Sequence, residues 1–155
     1  MRFHVSSSVG SLGVAVQMAG EQVTELIKDK MQSRAVRVAN ELRNAELRVI
    51  RGQGHGRRYR VPGTRRMYTA SAPGEVPAVR TGTFRRSWQP SSIMYGNVAI
   101  SKLETNYTVN GHNLGGMLEN GTGKMAPRPH QEKILEEAKP RVLAIYNAPY
   151  GSGQG

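Results

Sequence analysis

Between Arg51 and Pro77 the chain carries Gly52, Gly54, Gly56, Pro62, Gly63, Pro73, Gly74 and Pro77 and follows neither the helical nor the strand period. So many breakers forbid a long regular element there, and the chain must fold as one thing before this segment and another after it. The charge sits in the same place. Of the net +11, residues 51–90 supply nine arginines (Arg51, Arg57, Arg58, Arg60, Arg65, Arg66, Arg80, Arg85 and Arg86) against Glu75 alone, with no lysine. Arginine presents a planar fork of donors suited to phosphates and carboxylates and stacks on flat surfaces, so this bias points to a partner more than to solubility. Self-repulsion keeps such a segment extended. A loop of roughly thirty residues inside a small domain is functional or disordered as a rule. Pro62, Pro73 and Pro77 lower the entropy lost on ordering, which favours a stiff projecting arm over residues 51–80.

The flanks have clearer periods. From Glu21 onward Val23, Ile27, Met31, Ala35, Val38, Leu42, Ala45 and Val49 recur every three or four residues, which predicts a helix reaching about Ile50 and stopped by Gly52. Glu21 and Glu25 near its start and Arg48 and Arg51 at its end suit the helix dipole. Such a rod is about 45 Å long, more than a domain this small needs for its own core, so its apolar face either packs internally or meets another molecule. Upstream, Val14, Val16 and Met18 alternate with small or polar residues, which fits either a short strand over Gly13–Met18 or a frayed terminus. Gly and Ser interrupt residues 1–20 too often for a signal sequence, and no run approaches the roughly 18 apolar residues of a membrane span. The expectation is a soluble protein made in the cytoplasm.

Downstream of the arm, Ile93-Met94-Tyr95 and Val98-Ala99-Ile100 flank Gly96-Asn97, a hairpin signal, and Tyr107-Thr108-Val109 offers a third strand closed by Asn110-Gly111. His112–Met125, rich in glycine, reads as a loop. Pro127-Arg128-Pro129 then leads into a helix carrying Ile134, Leu135, Ala138, Val142, Ile145 and Tyr146 on one face, with Pro140 expected to kink it and residues 149–155 forming a flexible tail. The predicted architecture is one α+β domain over residues 1–155. It has a long N-terminal helix, an antiparallel sheet of three to four strands, a C-terminal helix and an extended basic loop between the first helix and the sheet.

Catalytic chemistry is hard to assemble from these residues. There is no cysteine, and His4, His55, His112 and His130 lie far apart without ligand spacing, so they read as exposed or loop residues. A His/Asn nuclease centre at His55 and His112-Asn113 lacks the carboxylates to hold a metal. The glycine-rich "GQGHG" (Gly52–Gly56) and "NGTGK" (Asn120–Lys124) lack phosphate-loop spacing, and Ser71, Ser87 and Ser101 have no nucleophile-elbow setting. No catalytic, metal or cofactor site is expected. The arginines, with Tyr59, Tyr68 and Trp88 as stacking surfaces, fit nucleic acid. They fit acidic residues of a neighbouring subunit, or ordering of the arm against its own body, equally well.

Three blocks in order carry a resemblance: "SAPGEVPAVRTGTFRRSW" (Ser71–Trp88), "MLENGTGKMAPRPH" (Met117–His130) and the helix that follows. Pro73-Gly74-Glu75-Val76-Pro77, Thr81-Gly82 with Ser87, Leu118-Glu119-Asn120-Gly121-Thr122 and Arg128-Pro129 resemble the pattern of the tail-completion, or neck, protein family of long-tailed bacteriophages, over about half the chain. The sequence departs from that pattern in a longer Asn110–Gly116 segment, in His130 where a large apolar residue is common, and in Pro140. The resemblance implies a non-enzymatic virion component, made in the host cytoplasm and located at the head-tail interface, that forms a ring joining head to tail around the DNA channel. It implies head-closure (stopper) and tail-terminator proteins as neighbours, no cofactor and no membrane. Six-fold symmetry is expected by analogy with such tails. In that setting the arm, with Arg57, Arg58, Arg60, Arg65, Arg66, Arg80, Arg85 and Arg86, would reach adjacent subunits or the DNA in the channel. A free basic nucleic-acid-binding module is the alternative.

Overall fold

The computed structural model describes residues 5–150, with side chains from Gly20 onward. The fold is α+β. Its first helix, α1, spans Val5–Val49, about 67 Å at the usual rise. It therefore absorbs Gly13–Met18, where alternation fitted a short strand or a frayed terminus. Val14 and Met18 are four apart and fit a helix as well as a strand, and extending a formed helix is far easier than starting another element. The C-terminus falls where the period predicted, with Ile50 buried and Gly52 at φ 76, a left-handed conformation that glycine adopts without penalty.

Among the described residues six short strands form three separate two-stranded antiparallel sheets rather than one sheet of three to four strands. β1 (Arg58–Arg60) pairs with β2 (Met67–Thr69), and β3 (Gln89–Tyr95) with β4 (Val98–Glu104) around Gly96-Asn97, as predicted. In that second hairpin Pro90, Ser92 and Met94 alternate with exposed neighbours and face α1 together with Ala99, Ser101 and Leu103. Ser101 Oγ donates to the Ala35 carbonyl at 2.8 Å. The predicted third strand is β5 (Thr108–Val109), but it turns back onto β6 (His112–Asn113) through Asn110 at φ 52 and Gly111 at φ 79. Two positive φ values in a row make the tight turn favoured in hairpins, so the strand closes on its own continuation and never reaches β3–β4.

Two short helices occupy stretches where none was expected. α2 is Thr83–Arg86, and α3, Leu114–Asn120, lies inside the predicted His112–Met125 loop. Asn113 starts α3 by accepting the Gly116 N–H at 2.9 Å, a cap that offsets the poor helix propensity of Gly115 and Gly116. The final helix, α4 (Gln131–Asn147), contains Pro140.

α4 runs antiparallel to α1, and a seven-residue ladder on α1 fixes the pairing. Arg48 Nε lies 2.7 Å from Glu137. Glu41 accepts from Arg48 at 2.6 Å and from Arg141 at 3.3 Å. Arg34, buried, donates to the carbonyls of Tyr146 and Ala148, and its guanidinium stands 3.8 Å from the Tyr150 ring centroid. The last turn of α4 has no basic residue of its own, so Arg34 supplies the cation that its carbonyl end favours. Tyr150, expected in a loose tail, is thus held against α1, while residues 151–155 lie outside the described part of the chain.

Ala45, Ile50, Trp88, Ile134 and Ala138 form the core, with Leu42, Phe84 and Leu103 packed around them. Alanines at 35, 39 and 45 are nearly fully buried and let the neighbouring elements approach α1 closely. Two sequence expectations are corrected here. Trp88 is a core residue and offers no stacking surface, and His130 is fully buried rather than exposed. His130 packs edge-on to Phe84 and Trp88 at 5.8 and 5.7 Å between centroids, filling the place of a large apolar residue.

Trp88→Ala should cost about 3–5 kcal/mol in urea unfolding, the range for emptying an aromatic site in a core. Tyr95→Ala, at a residue 78% exposed on the β3–β4 hairpin, should stay within about 0.5 kcal/mol of the parent. Similar costs for both would contradict the packing described here.

Candidate interaction site at the arginine arm

The arm expected over residues 51–80 divides into a strapped base and a projecting hairpin. At the base, the Val79 N–H donates to the Gly52 carbonyl at 2.8 Å, closing the loop against the end of α1. Ser71 and Pro77 are buried, and the Ala78 N–H donates to Ser71 Oγ at 2.7 Å. Arg128 spans two carbonyls, Ser71 at 2.8 Å and Ala126 at 3.0 Å, while the Gly74 N–H donates to the Pro127 carbonyl at 3.0 Å. Lys133 Nζ donates to the Gly74 carbonyl at 3.1 Å. Gly54 passes so close to this segment that an added Cβ would fall 2.3 Å from the Ser71 Cα.

Most of the motif residues belong to this joint or to its supports. Gly121, at φ 75, leaves only 2.7 Å between a would-be Cβ and the Met125 carbonyl, and Thr122 bridges to Met125. The Glu119 carboxylate accepts the His130 N–H at 2.9 Å and the Gln131 N–H at 3.2 Å, capping the N-terminus of α4 from α3. His130 follows Pro129, and its Nδ1 lies 2.9 Å from Glu119 and 3.0 Å from the Arg128 carbonyl. Thr81 and Gly82 open α2, with Gly82 at φ 79 and Thr81 Oγ1 accepting weakly from the Thr83 N–H. Ser87 Oγ closes that helix on the Phe84 carbonyl at 2.7 Å and meets Thr105 Oγ1 at 2.6 Å.

Glu75 is the electrostatic centre of the base. It accepts backbone N–H groups of His55 at 3.0 Å and Ala72 at 2.8 Å, and the His55 ring lies at 2.7 Å. The His55 N–H bond, then that of Ala72, then the His55 side chain lower its pKa to about 2 from the ordinary 4.5. The only carboxylate among the nine arginines thus ties the loop to itself and pairs with none of them.

Beyond the base, β1–β2 stands out with Arg57, Arg58, Arg60, Arg65 and Arg66 all exposed. Arg58 pairs across the strands with Thr69 and Arg60 with Met67, which places both arginines on one face. Tyr59 and Tyr68 oppose each other on the second face and stack at 5.8 Å between centroids. Arg57 covers Tyr59 at 5.6 Å and Arg80 covers Tyr68 at 5.7 Å, each a cation over an aromatic face. Arg65 and Arg66 lie in the connecting turn, and Arg86 is exposed on α2. Arg85 is drawn inward, donating to the Leu47 carbonyl at 2.8 Å, and so leaves the exposed set.

Among the described residues no three His, Cys, Asp or Glu side chains are grouped to hold a metal ion, and no helix is long and apolar enough to cross a membrane. No family model matches the sequence, and comparisons with curated proteins and with solved structures return no match.

Because its folded pKa is depressed, the stability carried by Glu75 is fully present above pH 4.5 and is lost as pH falls from there through about 2. Protection of the His55 and Ala72 amides against hydrogen exchange, corrected for intrinsic rates, should drop across that window. Glu75→Ala should remove most of that protection at neutral pH while core amides on α1 keep theirs. Unchanged protection in Glu75→Ala would remove Glu75 from its role as the tie.

Proposed function

We propose that this protein is a non-enzymatic structural subunit of a bacteriophage neck, a ring at the head-tail interface around the DNA channel, contacting head-closure and tail-terminator proteins. The observation that carries the reading is an apolar face that none of the described residues covers. Val23 and Ile27, 54% and 46% exposed, lie on the same side of α1 as the buried Val38 and Ala45, so the core-facing stripe continues past the body of the domain. A second apolar surface lies elsewhere, on the outer face of β3–β4, where Ile93 pairs with Ile100 and Tyr95 with Val98. Exposed patches of this kind mark protein contacts. Two different patches on one subunit suit the heterologous contacts that close rings, with six-fold symmetry proposed from the family analogy. The motif resemblance supports the same reading, since its residues hold a charged hairpin rigidly away from the body.

Electron microscopy of the purified protein, alone and with head-closure and tail-terminator proteins, should show rings. Val23→Asp combined with Ile27→Asp should reduce ring formation at least tenfold in sedimentation while leaving the thermal midpoint of the domain within a few degrees of the parent. Particles that join heads to tails normally without this protein would overturn the reading.

A further inference from the structure

We infer that the β1–β2 hairpin binds the phosphate backbone of double-stranded DNA, entering a groove as a two-stranded ribbon. The inference rests on the ring reading for its setting, and it decides between DNA and neighbouring protein as the arginines' partner.

The chain itself cannot satisfy these cations. None of Arg57, Arg58, Arg60, Arg65 and Arg66 forms an ion pair among the described residues. A second copy offers little, because most of the eleven carboxylates are engaged at home, Glu25 with Lys28 and Glu104 with Lys102 among them. Glu41 is held by Arg48 and Arg141, Glu46 by Arg43 and Glu137 by Arg48, while Glu75 and Glu119 bind backbone N–H groups. Each further copy also brings a net charge of +11, so assembly adds repulsion unless a polyanion is present.

Shape then selects the polyanion. Arg58 and Arg60 occupy one face of a two-stranded ribbon, Arg65 and Arg66 its tip and Arg57 the tyrosine face, and a ribbon of this width fits the roughly 12 Å major groove with phosphates on both sides. A cleft of about 490 Å³ on the tyrosine face of the ribbon is lined by Arg80, Lys124 and Arg128 and has no carboxylate in its lining. Single strands bind basic sites chiefly by stacking bases on open aromatic rings. Here the tyrosine rings are stacked on each other, with Arg57 and Arg80 at 5.6 and 5.7 Å from their centroids, and Tyr59 stays 44% exposed. The tyrosines stiffen the ribbon and aim Arg57 and Arg80. Contact is therefore to the backbone, without base readout.

The full-length protein should be titrated against a fluorescent random-sequence duplex of about 30 base pairs over a range of salt concentrations. Logarithmic affinity should fall linearly with logarithmic salt at a slope of about −4.5, from about 0.9 for each of five phosphates neutralised. The combined variant Arg58→Gln, Arg60→Gln, Arg65→Gln and Arg66→Gln should lose about one unit of slope per arginine and still form rings. Three results would overturn the inference: wild-type duplex affinity in the variant, tighter binding to a single strand of equal length, or displacement of the duplex by poly-glutamate at equal charge. If the variant keeps duplex affinity but loses rings, the arginines serve subunit contacts and only the ring reading stands. If wild-type protein binds duplex with the expected slope but never forms rings even with its neck partners, the ring reading fails and the DNA contact stands.

Discussion

A segment with little apolar surface to bury can keep one shape only if its backbone polar groups are bound by something rigid. In this protein Arg128 meets that need. One guanidinium spans the carbonyls of Ser71 and Ala126, so the base of the arm and the lead into α4 become a single joint. Lysine could not replace it, since the joint uses two donors set at a fixed angle. Glu119, capping α4 a few residues away, locks the other side of the same joint. Glu75 does locally what Arg128 does at longer range, collecting two backbone N–H groups that the loop could not otherwise satisfy.

Large-scale order depends on α1, and its charges matter as much as its apolar face. Arg34, Glu41 and Arg48 follow one another at seven-residue intervals and meet the C-terminal end, the middle and the first half of α4 in turn. Ion pairs so exposed add little stability individually. Their spacing selects one antiparallel register over a slide by one turn, which alanines at 35, 39 and 45 would scarcely resist. Burial alone would raise the pKa of Glu41, yet its bonds to Arg48 and Arg141 hold it below the ordinary value.

What was legible in the sequence was whatever repeats. The apolar period through Val23, Val38 and Ala45 gave α1 from residue 21 and its stop at Gly52, and Gly96-Asn97 gave the β3–β4 turn. Elements built on a single contact left no period to read. Strands β1 and β2 are three residues each and have no buried residue, so alternation has nothing to act on. α3 depends on one Asn113 side chain against two unfavourable glycines. The interior place of His130 follows from Glu119 and from two aromatic rings, one of them 46 residues earlier in the chain and the other 42. Motif residues were visible as a group, but their shared role as a joint emerges only when Ser71 and Arg128 meet across 57 positions.

The Arg34 clasp also fixes where the chain stands at Tyr150. Tyr150 is pinned beside Arg34, which lies seven residues, or about 10 Å of helix axis, from Ile27. A peptide inserted directly after Tyr150 therefore starts next to the stripe of α1 that no described residue covers, whereas a peptide inserted at Gly63, in the turn of the arginine ribbon, starts at the far side of the strapped base. Affinity handles placed at these two points are not equivalent: the first crowds the surface offered to a neighbouring subunit, and the second leaves it open.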